Sequence, residues 1–159
     1  MQNKSTVFLR NTLTAIVFTL AQCFATGYAT ASDAAVGQVK TLEGDASIIR
    51  DGNTLETQIG ARVYAKDLIR TGKDGSIGIT FTDNTVMATG PNSEVALEDY
   101  AFDSDKFDGS MLADMRKGTL LVVSGDIARS SPDAMKVRTP TAVLGVRGTR
   151  FLVKVGQGQ

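Results

Sequence analysis

From about residue 36 onward, apolar and polar residues alternate in short runs broken by turn-forming residues, a period of about two where a helix would show about 3.6. The runs that predict strands are Val36–Leu42, Ala46–Arg50, Thr54–Thr57, Ala61–Tyr64, Asp67–Thr71, Ser76–Phe81, Thr85–Thr89 and Glu94–Glu98. Ser110–Met115, Thr119–Val123, Met135–Thr139 and a final pair, Ala142–Val146 and Phe151–Val155, complete the set. Ile77, Ile79 and Phe81 share one face of their strand, as do Val95 and Leu97 of theirs, so these faces point to a core. Asp51-Gly52-Asn53 and Lys73-Asp74-Gly75 read as hairpin turns, and Asp83-Asn84 and Gly90–Ser93 as further turns. Turns recurring every eight to twelve residues or so predict an all-β fold, a small antiparallel β-sandwich or jelly-roll-like domain. Two polar stretches, Ala101–Gly109 and Asp126–Asp133, are expected as surface loops, either with room for a turn or two of helix.

Before this pattern begins, the chain looks like a targeting segment. Lys4 and Arg10 precede an apolar run, Leu13–Ala21, and Ala29-Thr30-Ala31 offers the small-x-small pattern of a cleavage site. A membrane span needs about 20 consecutive apolar residues, and Gln22, Thr26, Gly27 and Thr30 interrupt this run. The expectation is a signal peptide over 1–31, a mature domain over 32–159 with no integral membrane span, and a periplasmic or secreted location. The sole cysteine, Cys23, follows Leu20-Ala21 as in a bacterial lipobox, but Gln22 occupies a position where a small residue is expected. A lipoprotein is the minor alternative.

Removing Lys4 and Arg10 with the leader leaves 15 basic and 17 acidic residues, a formal charge of −2. Such a balance carries no electrostatic footprint for nucleic acid and no polybasic membrane patch. The chain contains no histidine, which removes Ser-His-Asp and Cys-His catalysis and every His-containing zinc site. Asp103, Asp105 and Asp108 fit an EF-hand frame poorly, since Phe107 would take a ligand position and Asp108 the glycine position. Glu94 and Glu98 fall on the solvent side of their strand, an environment that leaves carboxylates unsuited to general acid work. No enzyme activity, cofactor or metal is therefore expected. Without Trp, a glycan or peptidoglycan platform is a lesser reading. Tyr100, Phe102 and Phe107 flank the acidic loop and are candidate exposed contacts.

The most distinctive stretch runs from Val137 to Phe151. Pro140 marks a strand start or break, and Gly148 permits a conformation closed to other residues, so Arg147-Gly148-Thr149 is expected as a tight turn or bulge. Arg147, following an apolar strand, is then expected to be partly buried and clamped to a carboxylate or carbonyls, or to line a partner site. Thr139, Pro140, Arg147, Gly148, Thr149 and Phe151 are the candidate interaction or structural motif.

These residues carry a family resemblance. The opening Val39–Ile49 region with Gly44, then Gly60, Lys66–Gly72, Ser76–Phe81 with Asp83-Asn84-Thr85, Pro91-Asn92-Ser93 and Arg116-Lys117-Gly118 precede the closing Thr139-Pro140-Thr141-Ala142 and Val146–Phe151. In that order they resemble a FecR-family domain from about Val36 to Val155. The resemblance implies a β-rich envelope domain, which in the family's best-known role passes a signal from an outer-membrane iron transporter to a cytoplasmic sigma factor. Here a signal peptide stands where the cytoplasmic anti-sigma region would be, so the chain is similar to stand-alone exported members. The expected function is an exported module contacting another envelope or secreted protein through its sheet edge or loops. A sensory component paired with a separate transducer is the alternative, and a glycan-binding domain a further one.

Overall fold

The computed structural model describes residues 34–131, 133–148 and 150–156. The expected signal peptide, Cys23 and Thr149 lie outside the described residues. Alternation decides the strands. β1 (Gly37–Glu43), β2 (Ala46–Arg50), β3 (Asn53–Glu56), β4 (Arg62–Val63), β5 (Leu68–Thr71), β6 (Ser76–Phe81) and β7 (Val86–Thr89) follow closely on one another. β8 (Glu94–Asp103) and β9 (Asp108–Val123) are longer. A one-turn helix, α1 (Ile127–Ser130), precedes β10 (Met135–Arg138), β11 (Val143–Val146) and β12 (Arg150–Val155). The fold is all-β, as the alternation predicts.

β9 organises the sheet. Its first part pairs with β8 and, in parallel, with β10; its last part pairs with β7 and β12. Every other ladder among the described residues is antiparallel. The main path runs β3-β2-β5-β8-β9-β7-β6-β1-β4, with β10, β11 and β12 branching from it. The sheet curls so that both halves face one core. Ile48, Ile69, Val95, Leu97 and Met111 enter it from one half, and Val39, Ile77, Ile79, Phe81, Met87 and Leu120 from the other. Each such side chain contributes roughly 1.5–3 kcal/mol by leaving water.

Four local expectations change. Lys73–Gly75 is a turn but not a hairpin: β5 pairs with β2 and β8, whereas β6 pairs with β1 and β7. Ala101–Gly109 is mostly ladder, with Asp103 opposite Asp108, so only Ser104–Phe107 form a tip. The runs 110–115 and 119–123 belong to one strand, because Gly118 (φ +95°) bends the backbone without ending it. The last two strands do not pair with each other: β11 pairs with β10, and β12 with β9. The loop at 126–133 holds α1, whose Ile127 and Ala128 are fully buried.

Candidate interaction edge

Three buried polar groups tie the curled sheet together, and each lies in a sequence motif named above. Asp67 is fully buried. Its Oδ1 accepts from Arg50 Nε at 2.7 Å, and its Oδ2 accepts from Arg50 Nη2 and the Tyr64 amide, both at 2.8 Å. The Arg50 guanidinium lies 4.1 Å from the centroid of the Tyr64 ring. A bidentate carboxylate and an aromatic face suit a planar cation. Donating to the Asp67 carboxylate raises the Arg50 pKa against the opposing effect of burial.

Asp83 is also fully buried, and its donors are neutral. Oδ1 accepts from the Thr85 amide and the Tyr100 hydroxyl, both at 3.1 Å. Oδ2 accepts from the Thr85 hydroxyl at 2.6 Å and the Ile127 amide at 3.3 Å. The β6–β7 turn is thereby fastened to α1. Tyr100 stacks on Phe81 with ring centroids 5.5 Å apart. Burial, with the Asp83 charge beside it, pushes the Tyr100 hydroxyl up to about 12. The third group is the Ser93 hydroxyl, which accepts from the Thr119 amide at 2.9 Å and donates to the Thr119 carbonyl at 3.2 Å. It sits against Gly118, where a Cβ would collide with the Cα and side chain of Ser93.

At the surface, Glu94 gathers three cations: Arg116 at 3.2 Å, Arg70 at 3.4 Å and Lys117 at 3.8 Å. Glu94 is thus half-buried and ion-paired, not a freely solvated strand-face residue. Glu98 is exposed as expected, with Arg116 at 4.0 Å. At the β8–β9 tip, Asp103 accepts from the amides of Asp105 and Lys106. Lys106 and these amides hold its carboxyl below the usual range. Among the described residues, no three potential ligands converge on a point that could hold a metal ion.

The candidate motif divides in two. Thr139 and Pro140 form the β10–β11 turn, closed by the Thr139 amide donating to the Ala142 carbonyl at 2.8 Å and the Ala142 amide donating to Thr139 Oγ1 at 3.0 Å. Phe151 is half-buried on β12 and packs against the core. Gly148 has φ +53°, the left-handed conformation its sequence context suggested. Arg147 is exposed, contrary to the expectation of a partly buried guanidinium; Val146 is the last buried residue of β11, so the chain has already reached the surface at the next position. The clamped arginine is Arg50 instead.

The aromatic trio divides as well. Tyr100 is a core residue and not an exposed contact, because its hydroxyl is used inside. Phe102 is half-buried beside it, the two lining a cavity of about 410 Å³ with Val36, Ala65 and Thr82. Phe107 is 61% exposed at the hairpin tip, with φ +53°.

Near the end of the described chain, the β10–β11 turn and the last residues of β12 enclose a cleft of about 460 Å³ lined by Thr139, Pro140, Thr141, Leu144, Val153, Lys154, Val155, Gly156 and Arg116. Arg116 reaches it because β9 bulges there, with Glu94 opposite Lys117 and Val95 opposite Met115. Leu152 (62% exposed) and Val143 (60% exposed) stand outward on the strands beside it. Reading the sequence for chemistry passes over Arg116, Leu144, Leu152 and Lys154. The available signal was Leu152, an apolar residue on the face opposite Phe151, Val153 and Val155.

These features define an all-β module whose buried polar groups serve its architecture and whose C-terminal strands, among the described residues, each pair on one side only. A family model described as FecR protein matches residues 67–159. The chain belongs to the FecR family, a regulatory and signalling family associated with the cell envelope and not known as enzymatic. No curated protein and no solved structure matches the chain. Among the described residues, no helix is long and apolar enough to cross a membrane.

Proposed function

We propose that this FecR-family protein is exported by a signal peptide over 1–31 and acts as an interaction module of the cell envelope, holding another protein at its C-terminal sheet edge. The observation that carries this reading is the state of β11 and β12. Among the described residues each pairs on one side only, and between them they present Val143, Leu144 and Leu152 to solvent. An unpaired row of backbone amides and carbonyls beside exposed apolar side chains is a template for strand addition.

The test is affinity capture from envelope extracts with residues 32–159 as bait, beside Leu152→Asp and Arg147→Ala variants whose folding is checked by thermal melting. The expected result is one protein held by the parent and by Arg147→Ala and lost by Leu152→Asp. Equal capture by all three baits, or no capture, overturns the edge as the contact. The family match favours one second reading, a sensory component working through a separate transducer. A captured partner that spans the inner membrane would select it.

A further inference from the structure

We infer that the cleft between the β10–β11 turn and β12 takes an acidic, extended peptide segment of a partner protein as an added strand. This deepens the interaction-module reading and rests on it. β10 follows β9 only as far as Asp114, and β12 joins β9 only from Gly118. The β9 backbone between them is the bulge that carries Arg116 into the cleft. Pro140, Leu144, Val153 and Val155 give the cleft apolar walls, Arg116 and Lys154 supply positive charge, and among the described residues no carboxylate lines it. Arg116 is shared with Glu94 and Glu98. Lys154 has no ion-pair partner among the described residues, so its charge is available to an incoming group.

The dimensions and the charges agree on the occupant. β12 is six residues long, which at about 3.3 Å per residue is a ladder of roughly 20 Å, the span of one ordinary strand. Its outward face carries Arg150, Leu152 and Lys154. A second copy of this chain is a poor occupant. Antiparallel pairing of two β12 strands centred on Leu152 brings no carboxylate to Lys154, because the residue opposite it is Arg150. A strand with carboxylates at alternate positions supplies Lys154 with a counter-charge, and small apolar residues at the positions between fit the walls of Leu144, Val153 and Val155.

The probe is a fluorescein-labelled eight-residue peptide alternating Val and Glu, titrated against the exported protein by fluorescence polarisation. Two controls accompany it: the same peptide with Lys for Glu, and a Val–Glu peptide methylated on alternate backbone amides. The proposal predicts at least tenfold tighter binding of the Val–Glu peptide than of the Val–Lys peptide, weakening as salt is raised. Backbone methylation abolishes binding by removing ladder hydrogen bonds while keeping every charge. Lys154→Glu, with an unchanged melting temperature, reverses the preference. Equal binding of both charge types, binding of neither, or an unaltered preference in Lys154→Glu overturns the proposal. Captured partner challenged with excess Val–Glu peptide separates the two levels of inference. Release supports the cleft as the partner site. Retention, with no peptide bound, overturns the cleft proposal and leaves the interaction module standing; absence of both partner and peptide binding overturns both.

Discussion

The sheet ends differently at its N-terminal and C-terminal edges. The N-terminal edges are β3 and β4. β3 is four residues of a tight hairpin, Asn53-Thr54-Leu55-Glu56, all exposed and mostly polar, and β4 is only two residues long. Asp51 (φ +50°) and Gly52 (φ +79°) hold the β2–β3 hairpin in the twist its strands require, and Arg50 at its base is fastened to Asp67. The C-terminal edges are β11 and β12, with Val143 and Leu152 outward and a cleft alongside. Short polar edges are a common protection against unwanted strand pairing. One end of this sheet has that protection, and the other presents Val143, Leu144 and Leu152 to solvent.

Breaking the C-terminal edge at its root should have the largest effect. Gly118→Ala places a Cβ against Ser93 at φ +95°, where the β12 ladder begins. The expected loss is about 3 kcal/mol or more, read as a lower urea midpoint, and partner capture should fall with it. Loosening the N-terminal edge should have a smaller effect. Asp67→Asn breaks the bidentate pair, but Arg50 is one-third exposed and can rehydrate, so about 2 kcal/mol is expected. A double-mutant cycle with Arg50→Gln would measure the coupling, and capture by the folded fraction should be unaffected.

Tyr100→Phe removes the hydroxyl that joins Thr82 to Asp83 and should lose about 1 kcal/mol at neutral pH. Its pH dependence has a definite sign. The folded pKa, about 12, lies above the unfolded value of about 10. The folded state therefore holds the extra proton between these values, and this stabilisation is complete below about pH 10 and lost as pH rises toward 12. Denaturation at pH 9, 10.5 and 12 should show a steeper decline in the parent than in the Phe variant. The smallest stability changes belong to exposed residues: Leu152→Asp and Arg147→Ala should each stay within about 0.5 kcal/mol. Only the first should lose the partner, so melting and capture together separate the edge from the turn.

Much of the fold is legible in the alternation. Val95 and Leu97 lie inward, β2 has its expected bounds, and the Asp51-Gly52 hairpin forms, with positive φ at both residues. What period-two reading misses is where one strand changes partners. Arg116-Lys117-Gly118 looks like a turn, yet the strand continues through it, since glycine supplies a bend as readily as a stop. Nor does alternation reveal that β10 runs parallel to β9, a pairing set by the path of the chain through α1. The apolar run before Arg147 points to a partly buried, clamped arginine there, but Arg50 holds that role because Asp67, 17 residues on, folds back beneath it. Asp67, Asp83, Ser93 and Gly118 stand in motifs that carry the family resemblance, and the structure gives each an architectural task. The candidate edge was less legible: exposure of Leu152 and Lys154 follows from which face of β12 covers the core, a tertiary fact.

The most direct test is photo-crosslinking in living cells, with a benzophenone amino acid placed at Leu152, at Val143 or, for comparison, at Thr54 on the opposite edge. One protein adduct, of the same mass, is expected from Leu152 and Val143 and none from Thr54. An adduct from Thr54 alone, or no adduct from either C-terminal position, would contradict it.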